Sequence, residues 1–220
     1  MIVTIDGPAG AGKSTVARAL AKRLGFYFLD TGAMYRAVAW AAKQRDLGWD
    51  DPARLVELAR GMKIDLTENQ VFVDGQDVTQ AIRTADVTEV THHAASNPGV
   101  REHLVNLQRE LAAGRDIVTE GRDQGTVAFP QADCKVYLTA SPEERARRRL
   151  DQMRNRGENA ALEEVLQRQN QRDHGDATRS VGPLMAADDA VEISTDGLTR
   201  HEVVDKLEAL VRERQLADRQ

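Results

Sequence analysis

Short runs rich in branched apolar residues recur along the chain, at Ile2 to Ile5, Phe26 to Leu29, Ile117 to Val118, Val136 to Leu138 and Ala190 to Ile193. Runs of this length with little polar alternation read as strands buried on both faces, the habit of a parallel sheet. Between and after them lie segments with helical spacing: Thr15 to Leu24, Ala33 to Lys43, Ala53 to Ala59, Val100 to Leu111, Glu143 to Met153, Leu162 to Gln171 and Glu202 to Val211. Helix starts are marked as well. Asp51-Pro52, Asn97-Pro98 and Ser141-Pro142 each set a capping residue before a proline at the first helical position. Ser141 with Glu144, and Thr199 with Glu202, have capping-box spacing. Alternating strand and helix predicts an α/β fold with a five-stranded parallel sheet flanked by helices, its ligands sitting beyond the C-terminal strand ends.

Two stretches break this rhythm. From Lys63 to Val78 the sequence reads as short antiparallel strands around a tight Asp74-Gly75 turn. Residues 61–95 are therefore expected to form a small insertion on a core made of 1–60 and 96–220. From Arg147 to Arg156 a helix becomes dense in arginine and ends at Gly157. Such a run is either a solvated charged face or a mobile cover over phosphates, with bounds near 147–160. No internal repeat and no low-complexity linker is present.

Composition narrows the class. A chain of 220 residues with 41% hydrophobic content fits one soluble domain with a small appendage. Thirty basic residues against 35 acidic ones, a net charge of -5, give no general attraction to a nucleic-acid backbone. Only six of the basic residues are lysines, which leaves 24 arginines, the side chain whose planar fork matches phosphate oxygens two at a time. Cys134 is the one cysteine, so an intrachain disulfide and multi-thiolate metal sites are excluded. The first residues are too short and too acidic for a signal peptide, and no apolar stretch approaches the ~20 residues of a membrane span. A cytoplasmic monomer without membrane or nucleic-acid partners is expected.

The segment Gly7-Pro8-Ala9-Gly10-Ala11-Gly12-Lys13-Ser14, with Thr15 behind it, matches the phosphate-loop pattern G-x-x-x-x-G-K-[ST]. Glycines let the backbone curl so that successive N–H groups converge on an anion, and the helix that follows adds its positive end. Lys13 then reaches the β and γ phosphates of a bound nucleotide, and the Ser14 hydroxyl ligates Mg²⁺. A structural glycine turn would explain the bend but not the Lys-Ser pair. The N-K-x-D string of GTP switches, the L-S-G-G-Q stretch of transporter ATPases and an apolar strand ending in Asp-Glu are all missing. What remains is short and has arginines at strand ends. Asp30 to Arg36 follows the second strand and Glu120 to Asp123 the third, Pro98 to Glu102 opens a helix, and Arg172 to Arg179 ends one. Singly, each could be a surface ion-pair cluster.

Together they resemble one family. Asp30-Thr31-Gly32-Ala33-Met34-Tyr35-Arg36, the insertion with Ile82-Arg83-Thr84, Gly121-Arg122-Asp123-Gln124-Gly125-Thr126-Val127 with Phe129-Pro130, and Arg172-Asp173-x-x-Asp176-x-x-Arg179 with Pro183-Leu184 are similar to the bacterial cytidylate kinases. The likeness runs in order over nearly the whole chain. It implies a P-loop kinase core with an inserted CMP-binding domain and a short Arg-rich lid, passing the γ-phosphoryl of ATP, with Mg²⁺, to CMP or dCMP. By the same resemblance Arg36 and Arg122 hold the CMP phosphate and join Lys13 as catalytic cations. Arg101 and Asp123 approach the cytosine edge, Arg172 and Asp176 contact the ribose, and Thr31 and Arg179 line the acceptor site. The chain departs from the family pattern at Glu120, where aspartate is common, and at His92, where a serine is usual. The other readings are a P-loop kinase with a different small acceptor and a nucleotide-binding regulatory protein.

Overall fold

The structure is a computed structural model that describes residues 1–67, 69–155 and 157–217. The chain divides into two compact units, Met1–Phe28 with Arg115–Gln220, and Leu29–Gly114.

In the first unit, β1 (Ile2–Asp6) runs into the phosphate loop and α1 (Lys13–Leu24). β2 (Tyr27–Asp30) then leads the chain into the second unit. After the return come β6 (Ile117–Glu120), β7 (Cys134–Thr139), α6 (Pro142–Arg154), α7 (Leu162–Thr178), β8 (Val191–Ser194) and α8 (Arg200–Ala217). The expected five-stranded sheet has the order β2-β6-β1-β7-β8, and β1 pairs in parallel with both β6 and β7. β1 thus lies where successive connections leave in opposite directions, the place at which open α/β sheets bind ligands. Val3 and Ile5 of β1 and Val136 and Leu138 of β7 are buried with Val16 and Leu20 of α1 and with Val203, Val204, Leu207 and Val211 of α8 in one cluster. The α8 positions recur at helical spacing and form its inward stripe. Cys134 is buried here, and desolvation pushes its thiol up to about 11, so it is packing rather than reactive chemistry.

The capping residues act as the sequence predicts, with one exchange. Asp51 accepts from Arg54 N at 3.1 Å, Asn97 from Gly99 N and Val100 N, and Thr199 with Glu202 forms a reciprocal box. Ser141 Oγ accepts from Glu144 N at 3.3 Å, but the Ser141 N–H donates to Asp196, not to Glu144. Glu144 is drawn instead to Arg148, at 3.0 Å, so that box is only half made.

The second unit holds α2 (Thr31–Gln44), α3 (Pro52–Gly61), the antiparallel strands β3 (Ile64–Leu66), β4 (Val71–Val73) and β5 (Gln76–Asp77), then α4 (Ala85–Ser96) and α5 (Pro98–Ala112). The β4–β5 hairpin turns at Asp74 and Gly75, whose φ values of 50° and 82° are the paired left-handed residues such a turn needs. Helix α4 was not apparent from the sequence. Its residues include β-branched Val87, Thr88, Val90 and Thr91, and it has no side-chain cap at Thr84. Burial of Val87 and Ala94 stabilises it against propensity.

Candidate active site

The phosphate loop is fixed by what surrounds it. A Cβ at Gly7 would stand 2.0 Å from the Leu138 carbonyl oxygen, and φ at Gly7 is 143°, so no other residue fits. At Gly10 a Cβ would meet Arg145 Cβ at 3.0 Å. Gly12 precedes α1 and offers no side chain to cap it, which leaves the helix's positive end facing the loop. Lys13 is 5% exposed, and its Nζ donates to the loop's own Pro8 carbonyl at 2.8 Å. Burial lowers its pKa to about 7, helped by the charge of Arg122 and opposed by Glu120 and Asp6. Ser14 Oγ donates to Glu120 Oε1 at 2.7 Å, so the longer acid at this position reaches the loop's hydroxyl.

Beside the loop, residues just past β6 and at the C-terminal end of α7 form an ion-pair network. Arg122 Nε donates to Asp176 Oδ2 at 2.8 Å, and Arg122 Nη1 to the Gly121 carbonyl at 3.3 Å. Arg179 faces Asp123 at 3.7 Å and Asp176 at 3.9 Å, and its Nε donates to the Gly182 carbonyl. Burial alone would raise the Asp176 pKa; Arg122, Arg172 and Arg179 overcome it and hold the carboxyl below its usual value. Arg172 lies on the exposed side of α7, close enough for its charge to act on both Asp176 and Lys13. Five residues named from the sequence (Arg122, Asp123, Arg172, Asp176 and Arg179) therefore share one electrostatic neighbourhood with Lys13.

The other three named residues belong to the second unit. Thr31 opens α2 and is 2% exposed. Arg36 Nη2 donates to Asp30 Oδ1 at 3.2 Å, while its buried Nε has no hydrogen-bond partner. Arg101, 2% exposed, donates to the Ala95 carbonyl at 3.1 Å and lies over the Tyr35 ring. His92 is exposed on α4 with its ring against His93, which stacks on Trp49.

Three participants had no role assigned from the sequence, although Asp173 lies within the Arg172 to Arg179 motif. Asp6, 4% exposed, accepts from Gln124 N at 2.8 Å and Gly125 N at 2.7 Å, pinning the single π-helical turn Gln124–Ala128. Burial raises its pKa to about 6 against those two hydrogen bonds. Its signal was an acid closing an apolar strand directly before the loop. Arg145 and Asp173 pair with each other, and neither stands out in a stretch crowded with charge. Of the arginine-dense run, Arg147 and Arg154 are exposed, Arg148 donates to Thr195, and Arg156 lies outside the described residues.

Comparison with known proteins identifies the family. The cytidylate kinase family model matches residues 3–213. A cytidylate kinase from Rhodopirellula baltica is 53% identical over 213 residues, covering 97% of this chain and 93% of that protein. One from Geobacter sulfurreducens is 44% identical, with 99% and 95% covered. Among solved structures, an uncharacterized protein from Eubacterium ventriosum shares the fold, with a TM-score of 0.52 at 12% identity over 97% of this chain and 98% of that one. With a family match over almost its full length and relatives this similar across nearly all of it, the chain belongs to the cytidylate kinase family.

Proposed function

We propose that the chain transfers the γ-phosphoryl group of ATP to the phosphate of CMP or dCMP by in-line displacement, with cations positioning both anions and no side chain acting as general base. The observation that supports this most is the grouping of Lys13 with the Arg122–Asp176–Arg179–Asp123 network at the C-terminal edge of the central strands. An oxygen of the acceptor phosphate forms the new bond to the γ-phosphorus as the bond to the β–γ bridging oxygen breaks, and the electron pair leaves with ADP. That oxygen is already anionic near neutral pH, because the second phosphate pKa is about 6. The work of the protein is charge neutralisation and alignment. Lys13, with a pKa near 7 in its desolvated place, keeps its proton once phosphates lie beside it.

The residues at the loop suit Mg²⁺ brought in with ATP. Ser14 Oγ and the Glu120 carboxylate are hard oxygen donors 2.7 Å apart, and Mg²⁺ takes few carboxylates alongside substrate phosphates. When bound there, the ion would neutralise phosphate charge during the transfer.

On the acceptor side, Arg122 and Arg36 take the CMP phosphate. Arg122 does so by exchanging its bond to Asp176, and Arg36 has an unpartnered buried Nε to offer. Arg101 and Asp123 read the cytosine edge, Arg172 and Asp176 the ribose, and Thr31 and Arg179 line the site; these roles rest on the family resemblance. Residues 61–95 serve as the insertion for the monophosphate, and 147–160 as the cover that excludes water. ADP release by the purified chain with CMP, dCMP, UMP and AMP tests the reading. CMP and dCMP are expected to exceed UMP by well over about tenfold in kcat/KM, since uracil presents mismatched groups to Asp123. Equal turnover of CMP and UMP, or none on CMP without a partner protein, contradicts it.

A further inference from the structure

Helix α7 meets α6 along one stripe. Val165 packs with Ala146 and Leu150 in a small apolar cluster. One turn on, Gln169 Nε2 donates to the Pro142 carbonyl at 3.1 Å, and one turn further Asp173 Oδ2 accepts from Arg145 Nη1. Residues 165, 169 and 173 follow i, i+4, i+8 spacing and so share a face. The last contact reaches beyond the seam. Arg145 Nε donates to the Ala140 carbonyl just past β7, and Nη1 also donates to the Ala9 carbonyl in the phosphate loop, each at 3.0 Å. The loop rests on this same residue at Gly10. One guanidinium thus joins a strand end, the phosphate loop and α7.

Stability alone gives no reason for such a device. Arg145 is 5% exposed, and a buried ion pair is often no more stabilising than apolar residues of the same volume. Asp173 also carries a buried Oδ1 without a hydrogen-bond partner, a cost that a merely structural seam would avoid. Neighbours along α7 suggest what is gained. Arg172 precedes Asp173, and Asp176 follows three residues later, bound to Arg122. Besides the seam with α6, two ion pairs hold the helix, Arg145–Asp173 and Arg122–Asp176. Of these two, the first reaches the phosphate loop and does not use the arginine assigned to the acceptor phosphate.

We propose that Arg145 and Asp173 are positioning residues that hold α7 to the phosphate loop, so that Arg172 and Asp176 keep their placement when Arg122 turns to the acceptor. The substrate in this statement rests on the CMP reading; the tie itself does not. Occupation of the loop then stiffens α7 through Arg145, and the acceptor meets a helix already in place. Asp173→Asn keeps the shape of the side chain and removes its charge. Hydrogen exchange with saturating ADP is expected to slow in both the loop and residues 162–178 of the wild type, and in the loop alone of the variant. KM for CMP should rise about tenfold in the variant while KM for ATP is unchanged. Arg145→Lys, which keeps the charge but not the fork, should fall between. Equal protection of α7 by ADP in wild type and Asp173→Asn overturns the tie, as does an equal change in both Michaelis constants. If the wild type fails to phosphorylate CMP, the substrate reading falls, and the exchange comparison still decides the tie.

Discussion

The phosphate loop offers chiefly backbone donors, with Gly7 set so close to the Leu138 carbonyl that no other residue fits, Gly10 in left-handed backbone against Arg145, and one lysine held on the Pro8 carbonyl. Around Arg122 the cations are side chains, each already paired with a carboxylate: Arg122 with Asp176, and Arg179 with Asp123 and Asp176. The first region is preorganised by chain geometry and the second by a network of ion pairs, which in the proposed reading exchanges partners when substrate arrives. A loop of backbone donors therefore tolerates no change of shape, whereas a network of pairs distributes its losses over several members.

The largest effect is expected at the loop. Lys13→Met should lower kcat by about a hundredfold to a thousandfold, since it removes a cation from the transition state. Its melting temperature should not fall, because the charge it deletes is buried and partly neutralised already. A large loss of stability would instead mark Lys13 as structural. Arg36→Ala should come next, with a loss of about 1.5 to 3 kcal/mol, or roughly tenfold to a hundredfold, in kcat/KM for CMP. Equal damage to the ATP constants would place Arg36 outside the acceptor's reach.

Within the network the effects become selective. Asp123→Ala should narrow the ratio of CMP to UMP in kcat/KM, mostly by harming CMP, and an unchanged ratio would move base recognition elsewhere, with the region of His92 the next place to look. Asp176→Ala should have the mildest consequence, because Arg122 and Arg179 keep other partners, the Gly121 and Gly182 carbonyls. It should reduce kcat/KM for CMP several-fold. Comparing CMP with dCMP tells which hydroxyl is contacted: a selective loss on CMP points to the 2′ hydroxyl, and an equal loss on both to the 3′ hydroxyl or to general positioning.

The same contrast explains what could be read in advance. The phosphate loop is contiguous, so its chemistry is spelled in eight adjacent residues, and the strands and caps around it are local patterns too. The short strands turning at Asp74-Gly75 were legible for the same reason. Helix α4 was not, since its β-branched residues and missing cap conceal a helix that tertiary burial of Val87 and Ala94 stabilises. The π-helical turn at Gln124–Ala128 depends on Asp6, 118 residues away from Gln124, and nothing local announces it. Arg145 was lost among neighbours of identical charge, because burial and not composition separates it from Arg147. Arg122, Asp176 and Arg179 stood in clusters visible in the sequence but could be given roles only through resemblance; their pairing with one another is a property of the folded chain.

The most direct test of positioning by cations compares Arg122→Ala with wild type, measuring kcat/KM for CMP at saturating ATP and for ATP at saturating CMP. The account predicts a loss of about tenfold or more on CMP, with the ATP constant within about twofold. A fall of the same size for both substrates would contradict it.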